Sequence, residues 1–164
     1  MDEKENLTKK FIMVRMNDAQ ITTEEMSIIG TEALATCVGV LLYSKEKKVA
    51  IVAHASVDPM IVIDKIFELI IKNRLNSVVF KYEIIPGYEK EHSGIEEALR
   101  RHFTHFIPFN DNEISEGDIR TNEEYISREF AFDASTGEFV TDKVYFGIEY
   151  ECINKVSGKT ARKK

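Results

Sequence analysis

The sequence predicts an α/β fold, with mixed or mostly antiparallel sheet built from hairpins and two helices packed outside it. Three observations predict this. Residues 36–43 (TCVGVLLY) and 49–56 (VAIVAHAS) are apolar runs joined by the charged turn SKEKK, the pattern of a β-hairpin. Residues 125–133 (YISREFAFD) and 138–149 flank the turn-forming Asp133-Ala134-Ser135-Thr136-Gly137 and read as a second hairpin. Two stretches, one after Asp58-Pro59 and one after Ser93, place apolar residues at helical spacing.

In chain order, residues 1–10 are highly charged and read as a flexible arm, residues 11–151 as a single domain, and residues 152–164 as a basic tail. Residues 11–16 (FIMVRM) are a first strand and 17–25 a polar loop. Residues 26–30 lead into the hairpin, with Gly30 at a bend. Asp58 is a good N-cap, and Pro59 suits the first helical position, where its missing N–H costs nothing. Ile61, Val62, Ile66, Leu69 and Ile70 then form an apolar stripe. Lys72 and Arg74 favour the helix C-terminus, and Asn76-Ser77 stops the helix before a strand at 78–85. Ser93 and Glu96 make a capping-box pattern, followed by Ile95, Leu99 and Phe103 on one face. Residues 107–122 read as a long polar loop.

Composition narrows the function classes. At 164 residues, with 43% hydrophobic and 30% charged residues, the chain belongs with ordinary globular domains. A net charge of −6 argues against a nucleic-acid binder, which carries a basic footprint. No apolar run reaches the roughly 18 residues of a membrane span, so no membrane insertion is expected. The first ten residues lack the apolar core of a secretory signal. Two cysteines without such a signal fit free thiols in a cytoplasmic protein. No CxxC, HExxH or P-loop is present, and His92, His102 and His105 complete no recognised metal spacing. Neither metal nor cofactor is expected.

The first hairpin brings Cys37, at the start of one strand, back toward His54, at the end of the next. A thiol and an imidazole at hydrogen-bonding range form a nucleophile–base pair. Pairing Tyr43 with Val49 puts Cys37 opposite Ala55, beside His54, and a slip of one residue decides which face His54 occupies. Cysteine is also among the most buried residue types and serves as a small hydrophobe. Thr31, read alone, is an ordinary strand hydroxyl. Cys152 has no neighbouring histidine and reads as structural.

The segment TEALATCVGVLLY followed by AxxAH resembles the chemoreceptor glutamine deamidase (CheD) family, within a cysteine deamidase superfamily that includes the cytotoxic necrotizing factor toxins. Its signature is a threonine six positions before the nucleophilic cysteine and a histidine seventeen positions after it, which here are Thr31, Cys37 and His54. The resemblance implies a β-sandwich-like core. It implies Cys37 as nucleophile, His54 as general base and Thr31 as the group orienting the imidazole. It also implies a protein glutamine as substrate, on a methyl-accepting chemoreceptor in chemotaxis members, and a CheC-type phosphatase as partner. The chain departs from the family pattern in three places. Ala33-Leu34-Ala35-Thr36 stands where the family writes glycines, which implies a more restricted backbone there. Ala55-Ser56-Val57-Asp58-Pro59 replaces the usual Met-Leu-Pro segment, and the later glycine-rich segment is reduced to Ile85-Pro86-Gly87-Tyr88. Two further functions are consistent with the same residues. One is a transglutaminase-like enzyme or an effector-type deamidase of another protein, and the other a non-catalytic regulatory binding module.

Overall fold

The structure is a computed structural model that describes residues 11–89, 93–106, 109–111, 119–124 and 126–141. The predicted N-terminal arm, the basic tail with Cys152, and most of the last predicted strand lie outside the described residues. The elements, in order, are β1 (Phe11–Val14), β2 (Ala19–Ile21), β3 (Ile28–Leu34), β4 (Val38–Ser44), β5 (Val49–Ala55), α1 (Met60–Lys72), β6 (Phe80–Pro86), α2 (Ser93–Phe106), β7 (Phe109–Asp111), β8 (Arg120–Asn122), β9 (Ser127–Asp133) and β10 (Glu138–Val140). The fold is α/β, with two mixed, mostly antiparallel sheets and two helices. No helix among the described residues is long and apolar enough to cross a membrane.

One sheet runs β1-β3-β9-β10, with β8 also on β9; the other runs β2-β5-β4-β6-β7. The central strand β4 explains the layering. Its residues alternate between two apolar environments, so it reads as a nearly continuous hydrophobic run. Val38, Val40 and Leu42 join a core with Val62, Ile63, Ile66 and Ile70 of α1 and with Leu99 and Phe103 of α2. Cys37 and Leu41 join a second core with Ile29 and Leu34 of β3 and Phe130 and Phe132 of β9. The order is therefore sheet, sheet, helices, and each buried aliphatic side chain contributes roughly 2 kcal/mol to holding the layers together.

Several elements differ from the sequence reading. The segment read as a polar loop at 17–25 contains β2, which pairs antiparallel with β5. Its three residues are too few for an alternation signal. The long loop read at 107–122 likewise contains β7 and β8. Residues 26–30, read as a lead-in with a bend at Gly30, instead run into β3, a strand absent from the sequence reading that takes in both Gly30 and Thr31 and pairs parallel with β1 and antiparallel with β9. In α1 the N-cap is Pro59, one residue later than the Asp58 read from sequence, the Asp58 carboxylate accepts from the Met60 N–H at 3.2 Å, and the helix ends at Lys72, before Asn76. Ile61 is partly exposed and Ile63 takes its place in the core, because the buried face is centred one position further round.

Candidate active site

The hairpin register decides the site. Gly39 pairs with His54, Val38 with Ala55 and Ser44 with Val49. This is one residue away from the predicted pairing of Tyr43 with Val49. The slip matters because side chains alternate faces. Gly39 and His54 share a face, and Cys37, two positions before Gly39, lies on that face as well. It is the face turned toward the other sheet: a Cβ on Gly39 would stand 2.8 Å from the Phe130 ring and 3.1 Å from Leu34. The missing side chain at Gly39 lets the Phe130 ring and Leu34 of the facing sheet pack against the strand opposite His54.

The backbone of His54 is held on both sides. Besides its place opposite Gly39, its N–H donates to Asp18 O at 3.1 Å and its carbonyl accepts from Asn17 N at 2.8 Å. Asn17 turns this corner with a φ of 60°, a left-handed conformation that asparagine tolerates. Its Oδ1 accepts a hydrogen bond from Ser56 Oγ. Asn17 and Asp18, just before β2 in the segment read as a polar loop, thus clamp the candidate base.

Thr31 reaches His54 from the opposite sheet. Its Oγ1 lies 2.7 Å from His54 Nδ1 and 2.7 Å from the carbonyl of Val14, its register partner on β1. A carbonyl can only accept, so the single hydroxyl proton goes to Val14 and the hydroxyl oxygen accepts from Nδ1–H. That assigns the tautomer: Nδ1 carries the proton and Nε2 the lone pair. Nε2 is buried and has no hydrogen-bond partner among the described residues. A buried polar atom left unpaired costs energy.

Burial sets the protonation states. It lowers His54 to about 4 and raises the Cys37 thiol, against a smaller opposing effect of a hydrogen bond with the Thr36 side chain. The resting pair is a neutral thiol and a neutral imidazole. The structure joins Thr31 to His54 directly. It brings Cys37 to the same interlayer face and makes no hydrogen bond between Sγ and Nε2. Catalytic hydrogen bonds are often long before substrate binds.

The chain crosses from one sheet to the other at residues 35–37, immediately before β4. The bend begins at Ala33, where the β3–β9 register shifts and φ is 62°. The left-handed bend is built with alanine, so the side chain has not prevented the conformation. Gly87, read in sequence only as a remnant of a glycine-rich segment, packs on this crossing. A Cβ there would stand 2.5 Å from both Ala35 O and Cys37 O. A cavity of about 630 Å³, lined in part by Tyr43, Lys45, Lys81 and Phe139, lies at the far end of β4 from Cys37.

No family model matches this chain, and no curated protein matches it. The likeness to the glutamine deamidases therefore rests on the identity and spacing of Thr31, Cys37 and His54.

Proposed function

We propose that the protein is a cysteine-dependent glutamine amidohydrolase, converting a glutamine side chain of another protein to glutamate and ammonia. The observation that carries this reading is the 2.7 Å contact between Thr31 Oγ1 and His54 Nδ1, which leaves Nε2 as a buried base on the face shared with Cys37. Most buried side-chain nitrogens are hydrogen-bonded, so the unpaired Nε2 calls for an explanation, which this role supplies.

In this mechanism the substrate carboxamide displaces Thr36 as the neighbour of the thiol, and Sγ turns toward His54. Nε2 takes the thiol proton as Sγ attacks the amide carbon. Backbone N–H groups beside Cys37 hold the oxyanion. The imidazolium then protonates the leaving nitrogen, ammonia departs and a thioester remains. Nε2 next deprotonates a water that attacks the thioester carbon, and the returning proton goes to the departing thiolate. Each step uses groups of the chain and water alone, with no cofactor. Following the resemblance, the substrate is a glutamine on a cytoplasmic chemoreceptor and the partner a CheC-type phosphatase.

The test incubates a chemoreceptor cytoplasmic fragment, and separately carbobenzoxy-glutaminyl-glycine, with wild type, Cys37→Ser and His54→Asn. Glutamine-to-glutamate conversion is read by mass spectrometry and ammonia by a coupled assay. Conversion by wild type alone supports the reading, and none with either substrate overturns it. Incorporation of an added primary amine in place of water marks a transglutaminase.

One observation favours a regulatory binding module: Cys37 is only 6% exposed and is not bonded to Nε2. Complex formation with the same fragment that survives Cys37→Ser, without amide hydrolysis by wild type, would establish that alternative.

A further inference from the structure

Pro86, the last residue of β6, and residues 87–89 after it lie as a strap across the connection that carries Cys37. Tyr88 N donates to Leu34 O at 2.8 Å and Glu89 N to Ala35 O at 3.0 Å. Gly87 sits so close to Leu34 O, Ala35 O and Cys37 O that no side chain fits between them. The strap is anchored from the other sheet. Arg128 of β9, the register partner of Leu34, is 4% exposed, and its Nη1 donates to Pro86 O at 2.8 Å. On the outer side Tyr88 Oη donates to Glu123 Oε2 at 3.3 Å. Leu34, Ala35 and Cys37 thus meet backbone held by a guanidinium that spans the two sheets at the crossing point.

We propose that Arg128 is a positioning residue for Cys37, acting through Pro86 and Gly87 to hold the sulfur at the height and angle from which it meets His54 Nε2. The assignment rests on the amidohydrolase reading and adds to it a residue outside the Thr31, Cys37 and His54 set. Arg128 touches none of the reacting atoms. Its planar fork suits a carbonyl fixed in direction, a role that the point charge of lysine fills poorly. The energetic logic is that of orientation: misplacing a reacting group by about 1 Å costs on the order of a hundredfold in rate.

The test uses the full chain with Cys152→Ser throughout, comparing Arg128→Ala, Arg128→Lys and Gly87→Ala with the unchanged protein. Three readouts are needed: amide exchange resolved by residue, the pH midpoint of Cys37 alkylation by iodoacetamide, and glutamine-amide hydrolysis. In Arg128→Ala the amides of Tyr88 and Glu89 should exchange at least tenfold faster, while those of β4 and β5 keep their protection. Hydrolysis should fall roughly ten- to a hundredfold in kcat with KM unchanged, and millimolar methylguanidinium should restore part of it. Arg128→Lys should restore little. Gly87→Ala should reproduce the loss with Arg128 intact, which keeps the test alive if Arg128→Ala fails to fold.

Unchanged exchange at Tyr88 and Glu89, or freed amides with unchanged hydrolysis, overturns the assignment and leaves the amidohydrolase reading standing. If the unchanged protein hydrolyses no glutamine amide, that reading fails by itself. The alkylation midpoint then decides the strap: a midpoint in Arg128→Ala that matches the unchanged protein overturns it, and one displaced toward that of an ordinary thiol sustains it.

Discussion

Thr31 and His54 sit on different sheets, and the 2.7 Å contact between Oγ1 and Nδ1 bridges the space between them. The bridge is directional, because Thr31 donates its only proton to Val14 O and has just its lone pairs to offer the ring. Thr31→Val removes that acceptor while keeping shape. A buried Nδ1–H and a buried carbonyl then go unpaired, at a cost of about 1–3 kcal/mol each. Thermal unfolding should show the loss. Glutamine-amide hydrolysis should fall roughly ten- to a hundredfold, since the ring can then flip or change tautomer. Thr31→Ser retains the oxygen and should keep most of both. A valine variant as active as wild type would sink the orienting role.

His54 also predicts how stability depends on pH. Burial lowers its pKa to about 4 in the folded protein, against about 6.5 in an unfolded chain. The folded state therefore binds a proton less readily than the unfolded state. At pH 7 and above neither form is protonated and nothing is lost. As pH falls through 6.5 the unfolded chain takes up a proton that the folded one refuses until about 4. Stability drops across that window by on the order of 3 kcal/mol and not further below it. Glu129, raised chiefly by burial, works in the opposite sense at the acid end of the range, so the comparison should be with His54→Asn. Asparagine offers Thr31 an N–H without a titrating ring. Urea unfolding from pH 7 to pH 4 should show a shallower decline in the variant. Parallel curves would refute the buried neutral imidazole.

The same protonation states shape a rate profile. A neutral thiol and a neutral imidazole are the reactive forms, so kcat/KM should rise as His54 loses its proton near 4. It should stay flat through neutrality and fall only above the ordinary thiol range of about 8.5, because burial raises Cys37. A preformed thiolate–imidazolium pair would place its acid limb at the cysteine instead. An acid limb near 6.5 in the hydrolysis of carbobenzoxy-glutaminyl-glycine would contradict the structure.

The hairpin and both helices were legible because each leaves a strong local trace, whereas Thr31 was singled out only by its spacing from Cys37 and His54. Strands β4 and β5 are long apolar runs on either side of a charged turn, and α1 announces itself with Asp58-Pro59. What was not legible depends on contacts between distant residues. The register could not be read to one residue, because turn residues alone do not say whether Tyr43 meets Val49 or Ala50, and the structure pairs Tyr43 with Ala50. Strand β2 is three residues long and is stabilised by pairing with Ile51, Val52 and Ala53 of β5, which no local pattern encodes. Arg128 was not singled out within the strand read at 125–133, and its place is set by the bond it donates to Pro86 O on the other sheet, a contact between distant residues. Gly87 was the one available hint, a glycine in the place of a longer glycine-rich segment.

Ala33 offers a test in which stability should improve. It holds a φ of 62° at the bulge between Thr31 and Leu34, where an L-residue with a Cβ loses about 1–2 kcal/mol relative to the right-handed region. Glycine removes that penalty and adds about 0.5–1 kcal/mol of backbone entropy to be lost on folding. The balance favours Ala33→Gly by about 0.5–1 kcal/mol, a rise of roughly 2 °C in Tm for a chain of this size. Ala33→Val should move the other way and by more, because a β-branched side chain adapts poorly to this conformation. If glycine lowered Tm, the left-handed bend would not be the conformation of residue 33 in solution, and the path that brings Cys37 onto the face of His54 would need redrawing.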